Sequence, residues 1–259
     1  MASEKHNDHL EAEIALHRHL AQVYEEKRYA PAFSKLYNQH WNRKLCQVSQ
    51  LPAGARVLDY GCGSGILFEE LAARKYAYIG LDLSLDMLLA AKKKHPRAEC
   101  VCADGLRLPF PDSGFDGVIC RGSIHHLMSQ REVFREIHRV LKPGGVLAFS
   151  EPSNDSLLNL VARFIMYRFS REFHEDDVAF NRRKILPLLK ESGFSVEYSR
   201  GFGFLGYVLA GFPDKLGLLN HLPGACALTR LFILLDSLLE RIPFLHALAL
   251  HWQVRARKG

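Results

Sequence analysis

Val57-Leu58-Asp59-Tyr60-Gly61-Cys62-Gly63-Ser64-Gly65 decides how the rest of this chain is read. Arg56 to Tyr60 is a short apolar run carrying an acid. Glycines follow at alternate positions, and Ile66 to Ala73 reads as the opening of a helix. The pattern is strand, tight turn, helix. Glycines at 61, 63 and 65 let the backbone take positive φ and let a flat, polar ligand lie against bare main chain. Their spacing is Gly-x-Gly-x-Gly, whereas the dinucleotide fingerprint is Gly-x-Gly-x-x-Gly with a pyrophosphate on the helix N-terminus. Asp59, just ahead of the turn, repels a pyrophosphate and suits a cationic ligand.

Downstream, Tyr76 to Asp82 is a second strand ending in an acid, one strand-helix-strand unit after Asp59. A carboxylate there has two acceptor oxygens that suit a ribose diol. Ser84 can cap the following helix and Asp86 can favour its first turn, which leaves Asp82 for a ligand. That helix ends at Lys92-Lys93-Lys94, before Pro96. Ala98 to Cys102 is the third strand, with Ala103-Asp104-Gly105 at its end and Leu106-Arg107-Leu108-Pro109-Phe110-Pro111-Asp112-Ser113-Gly114-Phe115-Asp116 leading onward.

The fourth strand, Gly117 to Cys120, opens into Arg121-Gly122-Ser123-Ile124-His125-His126-Leu127. In open α/β sheets the ligand crevice lies at the strand carboxyl ends, so His125 and His126 are the candidate general bases; the competing reading is that they order the loop. Gln130 to Leu141 is an amphipathic helix stopped by Lys142-Pro143-Gly144-Gly145, and Val146 to Ser150 is strand five. Glu151 either touches substrate or caps a helix from Ser156 to Phe169. His174-Glu175-Asp176-Asp177 reads as a solvated turn rather than a metal cluster. Arg182 to Ser192 is a helix, Phe194 to Tyr198 strand six, and Ala249 to Arg255 the last strand.

Composition bounds the class. With 259 residues, 48% hydrophobic and 24% charged, the chain suits one soluble α/β domain. A net charge of +6 permits an anionic partner, but the one basic cluster, Arg255, Arg257 and Lys258, lacks the aromatic interleaving of a nucleic-acid groove and reads as a solvated tail. The six cysteines read as reduced thiols, and Cys100 and Cys102 have no second pair to complete a zinc site, so no metal is expected. The first residues lack the apolar core of a signal peptide, and no uncharged run reaches the ~18 residues that span a bilayer. A cytoplasmic protein is expected.

Two segments flank this pattern. From about Leu10 to Gln50 the chain reads as helix in two pieces broken near Pro31, with Leu16, Leu20 and Val23 on one face. Its aromatics, Tyr24, Tyr29, Phe33, Tyr37 and Trp41, are expected to pack, and His6, His9, His17 and His19 to lie on the surface. Near the other end, about Gly201 to Leu248 is an apolar insertion. Leu228, Leu231, Phe232, Leu235, Leu238, Leu239 and Ile242 form a helical stripe, widened by Ile233 and Leu234, with Arg230, Asp236, Glu240 and Arg241 opposite. The default reading is an inward-packed stripe; a lid over an apolar substrate and an interfacial helix are the alternatives.

Taken together, the glycine turn preceded by Asp59, the Leu-Pro-Phe-Pro-Asp-x-x-Phe-Asp run and Arg-Val-Leu-Lys-Pro-Gly-Gly resemble the class I S-adenosylmethionine-dependent methyltransferases of small-molecule, quinone-biosynthesis-like type. The resemblance implies a Rossmann-like α/β fold with a seven-stranded sheet in the order 3-2-1-4-5-7-6, the last strand antiparallel and helices on both faces. It implies residues 51–259 as the S-adenosylmethionine-binding domain and 1–50 as a helical extension closing over the cofactor. In that frame methionine lies against Asp59, Gly61 and Gly63, ribose against Asp82, and adenine by Asp104 and Gly105. Leu83 and Met87 flank the adenosine, and Cys62, Gly65, Cys120, Tyr29 and Tyr37 complete the expected set. The implied reaction moves a methyl group to a small acceptor, a lipophilic one if the apolar insertion is a lid, and leaves S-adenosylhomocysteine. A methyltransferase-like scaffold without activity and a nicotinamide oxidoreductase are the rivals. A nucleic-acid acceptor is disfavoured because the Asn/Asp-Pro-Pro-aromatic signature is absent after strand four.

Overall fold

The computed structural model describes residues 24–127, 129–153, 155–156 and 181–259. The expected helix before Tyr24, the four N-terminal histidines, most of the helix after Ser156 and the His174–Asp177 run lie outside them. A π-helical turn, Tyr24–Tyr29, precedes helix α1, Ala32–Ser49, so the break expected near Pro31 is present. The sheet strands are β1 (Arg56–Tyr60), β2 (Ala77–Asp82), β3 (Glu99–Cys102), β4 (Phe115–Arg121), β5 (Leu141–Pro152), β6 (Phe194–Phe202) and β7 (His251–Lys258). Between them run α2 (Phe68–Ala73), α3 (Leu85–Lys94), α4 (Gln130–Val140) and α5 (Arg182–Glu191). The insertion before β7 contributes α6 (Leu205–Ala210), α7 (Pro213–Leu216) and α8 (Ala225–Leu239).

Strand order is 3-2-1-4-5-7-6, as the sequence implied. β1 to β5 pair in parallel, while β7 runs antiparallel to both β5 and β6. Because both faces are covered, side chains alternate between two cores. Leu58, Val118 and Leu147 join α4 and α5 on one side, while Val57, Ile119 and Ala148 meet α1 and α2 on the other. α4 is capped by Ser129 Oγ and buries Val133, Phe134, Ile137 and Val140, the face its sequence period marks.

Several boundaries move for local reasons. The helix expected from Ile66 begins at Phe68, because Gly65 holds φ +77° and the chain first closes two turns, Gly65 to Cys62 and Phe68 to Gly65. Leu141 already pairs with Phe115 and Val146 next pairs with Gly117, so Lys142–Gly145 bulges out within β5. β6 and β7 outrun their expected ends. That corrects the reading of the C-terminal cations as a solvated tail: Arg255 and Arg257 both bind Glu197, and Lys258 Nζ donates to the carbonyls of His138 and Leu141.

The insertion departs from a larger expectation. α8 follows the expected orientation only in part: Leu228, Phe232 and Ile233 pack inward and Arg230 and Arg241 face out, but Thr229, Asp236 and Glu240 are buried, whereas Leu231, Leu234 and Leu238 are exposed. Asp236 is drawn in because its carboxylate accepts the backbone N–H groups of Phe204, Leu205 and Gly206 (3.0–3.1 Å), capping α6, whose first residue is Leu205. Glu240 follows one turn on, with Lys44 Nζ at 2.7 Å and Gly203 N at 3.4 Å. Capping of a neighbouring element fixes the roll of the helix more firmly than its apolar count does.

Candidate active site

β1 and β4 are adjacent, yet β1 leads on to β2 on one side and β4 to β5 on the other. The crevice above their carboxyl ends is therefore the topological switch point where ligands bind in open α/β sheets. Gly61, Gly63 and Gly65 all take positive φ there, +69°, +51° and +77°. Their surroundings differ. A Cβ on Gly61 would stand 2.3 Å from Ser123, and one on Gly65 would stand 3.1 Å from His95, so both are glycine for packing as well as conformation. At Gly63 a Cβ would meet nothing within 4 Å, which leaves that peptide bare toward the crevice.

The N–H groups of Gly61, Cys62, Gly63 and Gly65 are spent internally. Gly61 and Cys62 both donate to Leu81 O, Gly65 donates to Cys62 O, and Gly63 donates to Asp82 Oδ2 at 2.8 Å. A pyrophosphate needs such donors pointing outward. This turn offers a flat, open main-chain surface without an anion nest.

The three acids stand in unequal places. Asp82, half-buried at the β2 tip, ties down the turn through Gly63 and also accepts Ser84 N at 2.9 Å. It thus serves the turn as well, and each oxygen keeps a further lone pair for a ligand. Ser84 Oγ caps α3 by accepting Met87 N, as expected. Asp104, half-buried beyond β3, turns its chain by accepting Leu106 N at 2.8 Å. Gly105 beside it is required because a Cβ would lie 2.2 Å from the Tyr60 hydroxyl.

Asp59 is not at a strand tip. It pairs in register with Gly80, below the turn, and is 1% exposed beside the Tyr78 hydroxyl at 3.4 Å. Burial, and then Asp82, push its carboxyl up to about 8. Of the other expected cofactor contacts, Leu83 is half-buried at the crevice rim, while Cys62, Met87 and Cys120 are buried. Tyr37 is fully buried in the cluster with Phe33, Trp41 and Phe202, the packing expected of it.

On the β4 side, one residue from each of several elements meets. Glu151, at the end of β5 and fully buried, accepts Ser123 N, Ile124 N and Cys120 Sγ on Oε1 and faces His125 Nδ1 with Oε2 at 2.6 Å. It holds the first N–H groups of the 3₁₀ turn Ile124–His126 and orients a histidine; the helix it was expected to cap lies mostly outside the described residues. The rings of His125 and His126 lie against one another, centroids 4.0 Å apart and planes tilted by 37°.

Arg121, buried, lies over the Trp41 ring at 3.8 Å and donates to the side-chain carbonyls of Asn38 and Asn42. Burial pulls its guanidinium down to about 10, partly offset by Tyr29, Tyr207 and Tyr37 nearby. His251 Nε2 meets the Tyr207 hydroxyl at 2.5 Å, and burial with His125 and Arg121 close by holds the ring neutral. Sequence reasoning missed Arg121, Asn38, Asn42, Tyr207 and His251. The one signal for them was the position of Arg121 at the β4 end.

A Rossmann-like sheet of order 3-2-1-4-5-7-6, with an open glycine turn lacking an anion nest, defines the class I methyltransferase architecture. Residues 58–149 match the family described as a methyltransferase domain. In that stretch the chain is similar to the S-adenosylmethionine-dependent methyltransferases of class I. Demethylmenaquinone methyltransferase of Corynebacterium urealyticum is 40% identical over 111 residues, 43% of this chain and 47% of that protein. A probable tRNA methyltransferase 9B of Mus musculus is 32% identical over 73% of this chain and 40% of its own length. The chain thus spans about half the length of these curated relatives. A crystal structure of a SAM-dependent methyltransferase of Thermotoga maritima, described as a possible histamine N-methyltransferase, superposes with a TM-score of 0.62 at 17% identity, covering 95% of this chain and 99% of that one.

Proposed function

We propose that this protein moves a methyl group from S-adenosylmethionine to a small, lipophilic acceptor with an acidic hydroxyl or carbon. The observation that carries the donor half is the glycine turn: its donors are spent on Leu81, Cys62 and Asp82, and Gly63 stays bare. That surface suits a cationic, adenosyl-bearing ligand and disfavours the pyrophosphate of a nicotinamide dinucleotide. In this reading Gly61 and Gly63 border the methionine part, Asp82 takes the ribose diol, and Asp104 with Gly105 border adenine. When bound, S-adenosylmethionine supplies a sulfonium methyl for in-line displacement, with S-adenosylhomocysteine as product.

The rest falls to the protein's own groups. Ser123 packs on Gly61, so the histidine loop sits directly against the donor turn. His125, held by Glu151, takes the acceptor proton as the general base. Arg121, met by amide carbonyls on Asn38 and Asn42, favours an acceptor that becomes anionic. Trp41, Tyr29 and Tyr207 give that side an aromatic lining, which fits a ring such as the one the demethylmenaquinone enzyme's name denotes. Residues 1–50 and the insertion at about 201–248 together build this acceptor side on the domain formed by 51–259.

The C-terminal cations are engaged with Glu197 and main-chain carbonyls, which favours a small molecule over nucleic acid. Among the described residues no helix is long and apolar enough to cross a membrane, and six free cysteines suit a reducing, cytoplasmic setting. Calorimetry decides the donor half: S-adenosylhomocysteine is expected to bind and NAD is not. Binding of NAD alone would overturn the reading. For the acceptor half, radiolabelled donor with reduced short-chain demethylmenaquinone should yield labelled quinol, and label found only in RNA would overturn it.

A further inference from the structure

α8 exposes what a water-facing helix hides. Leu231, Leu234 and Leu238 recur along its outer face, 48%, 56% and 46% exposed, and Phe244 in the 3₁₀ turn that follows is 78% exposed. Residues 205–248 contain three acids, and all are taken inward. Asp236 and Glu240 are held as described above, and Asp214, its side chain 5% exposed, pairs with Arg28 at 2.6 Å. Arg230 and Arg241, in contrast, are exposed and flank the leucines at one edge of the same face. On a helical wheel Arg230 and Arg241 fall within about 20° of one another, beside the leucine row.

An apolar stripe edged by cations and cleared of exposed acid has a definite electrostatic complement. We propose that the outer face of α8 and the turn after it dock on a bilayer carrying anionic phospholipid. The leucines and Phe244 enter the boundary between headgroups and acyl chains, and Arg230 and Arg241 meet lipid phosphates. The opposite face of the same helix packs on α1 and α6, which bring Trp41 and Tyr207 to the acceptor side. A docked enzyme therefore presents its acceptor side close to the membrane surface. This deepens the lipophilic-acceptor reading, although the docking itself needs neither donor nor acceptor.

The test is co-sedimentation of the full chain with phosphatidylcholine vesicles, with and without about one-third phosphatidylglycerol, at 0.1 M and 0.5 M NaCl. Binding is expected only with the anionic lipid and should weaken at high salt. Arg230→Gln and Arg241→Gln should each lower partitioning roughly fivefold, and Leu231→Ser/Leu234→Ser/Leu238→Ser should abolish it while leaving the melting temperature unchanged. Equal binding to both vesicles, no binding to either, or leucine variants that bind like the parent would overturn the proposal. So would a stable dimer by light scattering that the triple leucine variant dissolves, since a second copy would then cover the face. Failure here leaves S-adenosylhomocysteine binding untouched, and failure of that binding leaves vesicle partitioning to be read on its own.

Discussion

Replacing Glu151 by glutamine tests the acceptor chemistry at its least ambiguous point. Oε1 receives two backbone N–H groups, Ser123 at 3.1 Å and Ile124 at 3.0 Å, so in Glu151→Gln the amide oxygen must stay on that side. The amide NH2 then faces His125 Nδ1, which the carboxylate approaches at 2.6 Å. A donor in that place obliges Nδ1 to accept and moves the ring proton to Nε2, removing the base from the other nitrogen. Loss of a positioned general base costs about 10²–10⁴ in rate, so kcat should fall by roughly that factor. KM for S-adenosylmethionine should stay within about twofold, because the hydrogen bonds of Glu151 run to Cys120, Ser123, Ile124 and His125 rather than to β1–β3. Alanine is the worse probe: it would orphan two buried N–H groups at about 1–3 kcal/mol each and confuse folding with catalysis. Product release should be measured with reduced short-chain demethylmenaquinone for the parent, Glu151→Gln, His125→Ala and the double variant. The double variant should be no slower than His125→Ala. A kcat for Glu151→Gln within threefold of the parent would refute the base assignment and leave the pair a loop-ordering contact.

The proposed donor half of the site was legible because it lies in contiguous motifs. A glycine turn, a strand-end acid and an Asp-Gly pair each announce themselves within a few residues, and βαβ topology brings them to one sheet edge. What local pattern could not show was depth. Asp59 and Asp82 read alike in sequence, yet register places one under the turn beside Tyr78 and the other at the tip. Likewise, Ser84 filled the cap expected of it, but Asp82 was claimed by Gly63 and Ser84, a demand that only the folded turn creates.

The proposed acceptor half was opaque because its groups come from five elements: Asn38 and Trp41 from α1, Arg121 from β4, Glu151 from β5, Tyr207 from α6 and His251 from β7. No spacing rule links residues some 210 positions apart. The roll of α8 failed for a related reason. Hydrophobic period assumes that acids seek water, whereas Asp236 is held by three N–H groups at the start of another helix, a partner that no window around residue 236 contains.

Four further substitutions separate these contributions. Gly63→Ala meets no atom within 4 Å and carries only the left-handed backbone penalty of about 1–2 kcal/mol, so it should fold while S-adenosylhomocysteine affinity in calorimetry drops at least tenfold; Gly61→Ala, driven into Ser123, should lower the melting temperature further than Gly63→Ala does, and the reverse order would refute the packing argument. Asp59, about 8 when folded against 3.8 as its ordinary value, holds its proton more tightly in the native state. Stability should therefore fall as pH rises from about 4 to about 8, and Asp59→Asn should flatten that slope in denaturant midpoints. Parallel slopes in parent and variant would show that the carboxyl is not the cause. Asp236→Asn addresses the helix roll. The carboxylate accepts three N–H groups within 3.1 Å, and burial pushes it up to about 6 against their opposing pull. An amide keeps one acceptor oxygen and turns an NH2 toward donors, so at least one N–H at the start of α6 loses its partner, at about 1–3 kcal/mol. Thermal melts at pH 8 should show that loss. It should shrink near pH 5, where the parent carboxyl is itself protonated and accepts less well. A variant equally destabilised at both pH values, or not at all, would mean that Asp236 is buried by the packing of α8 rather than holding it in place.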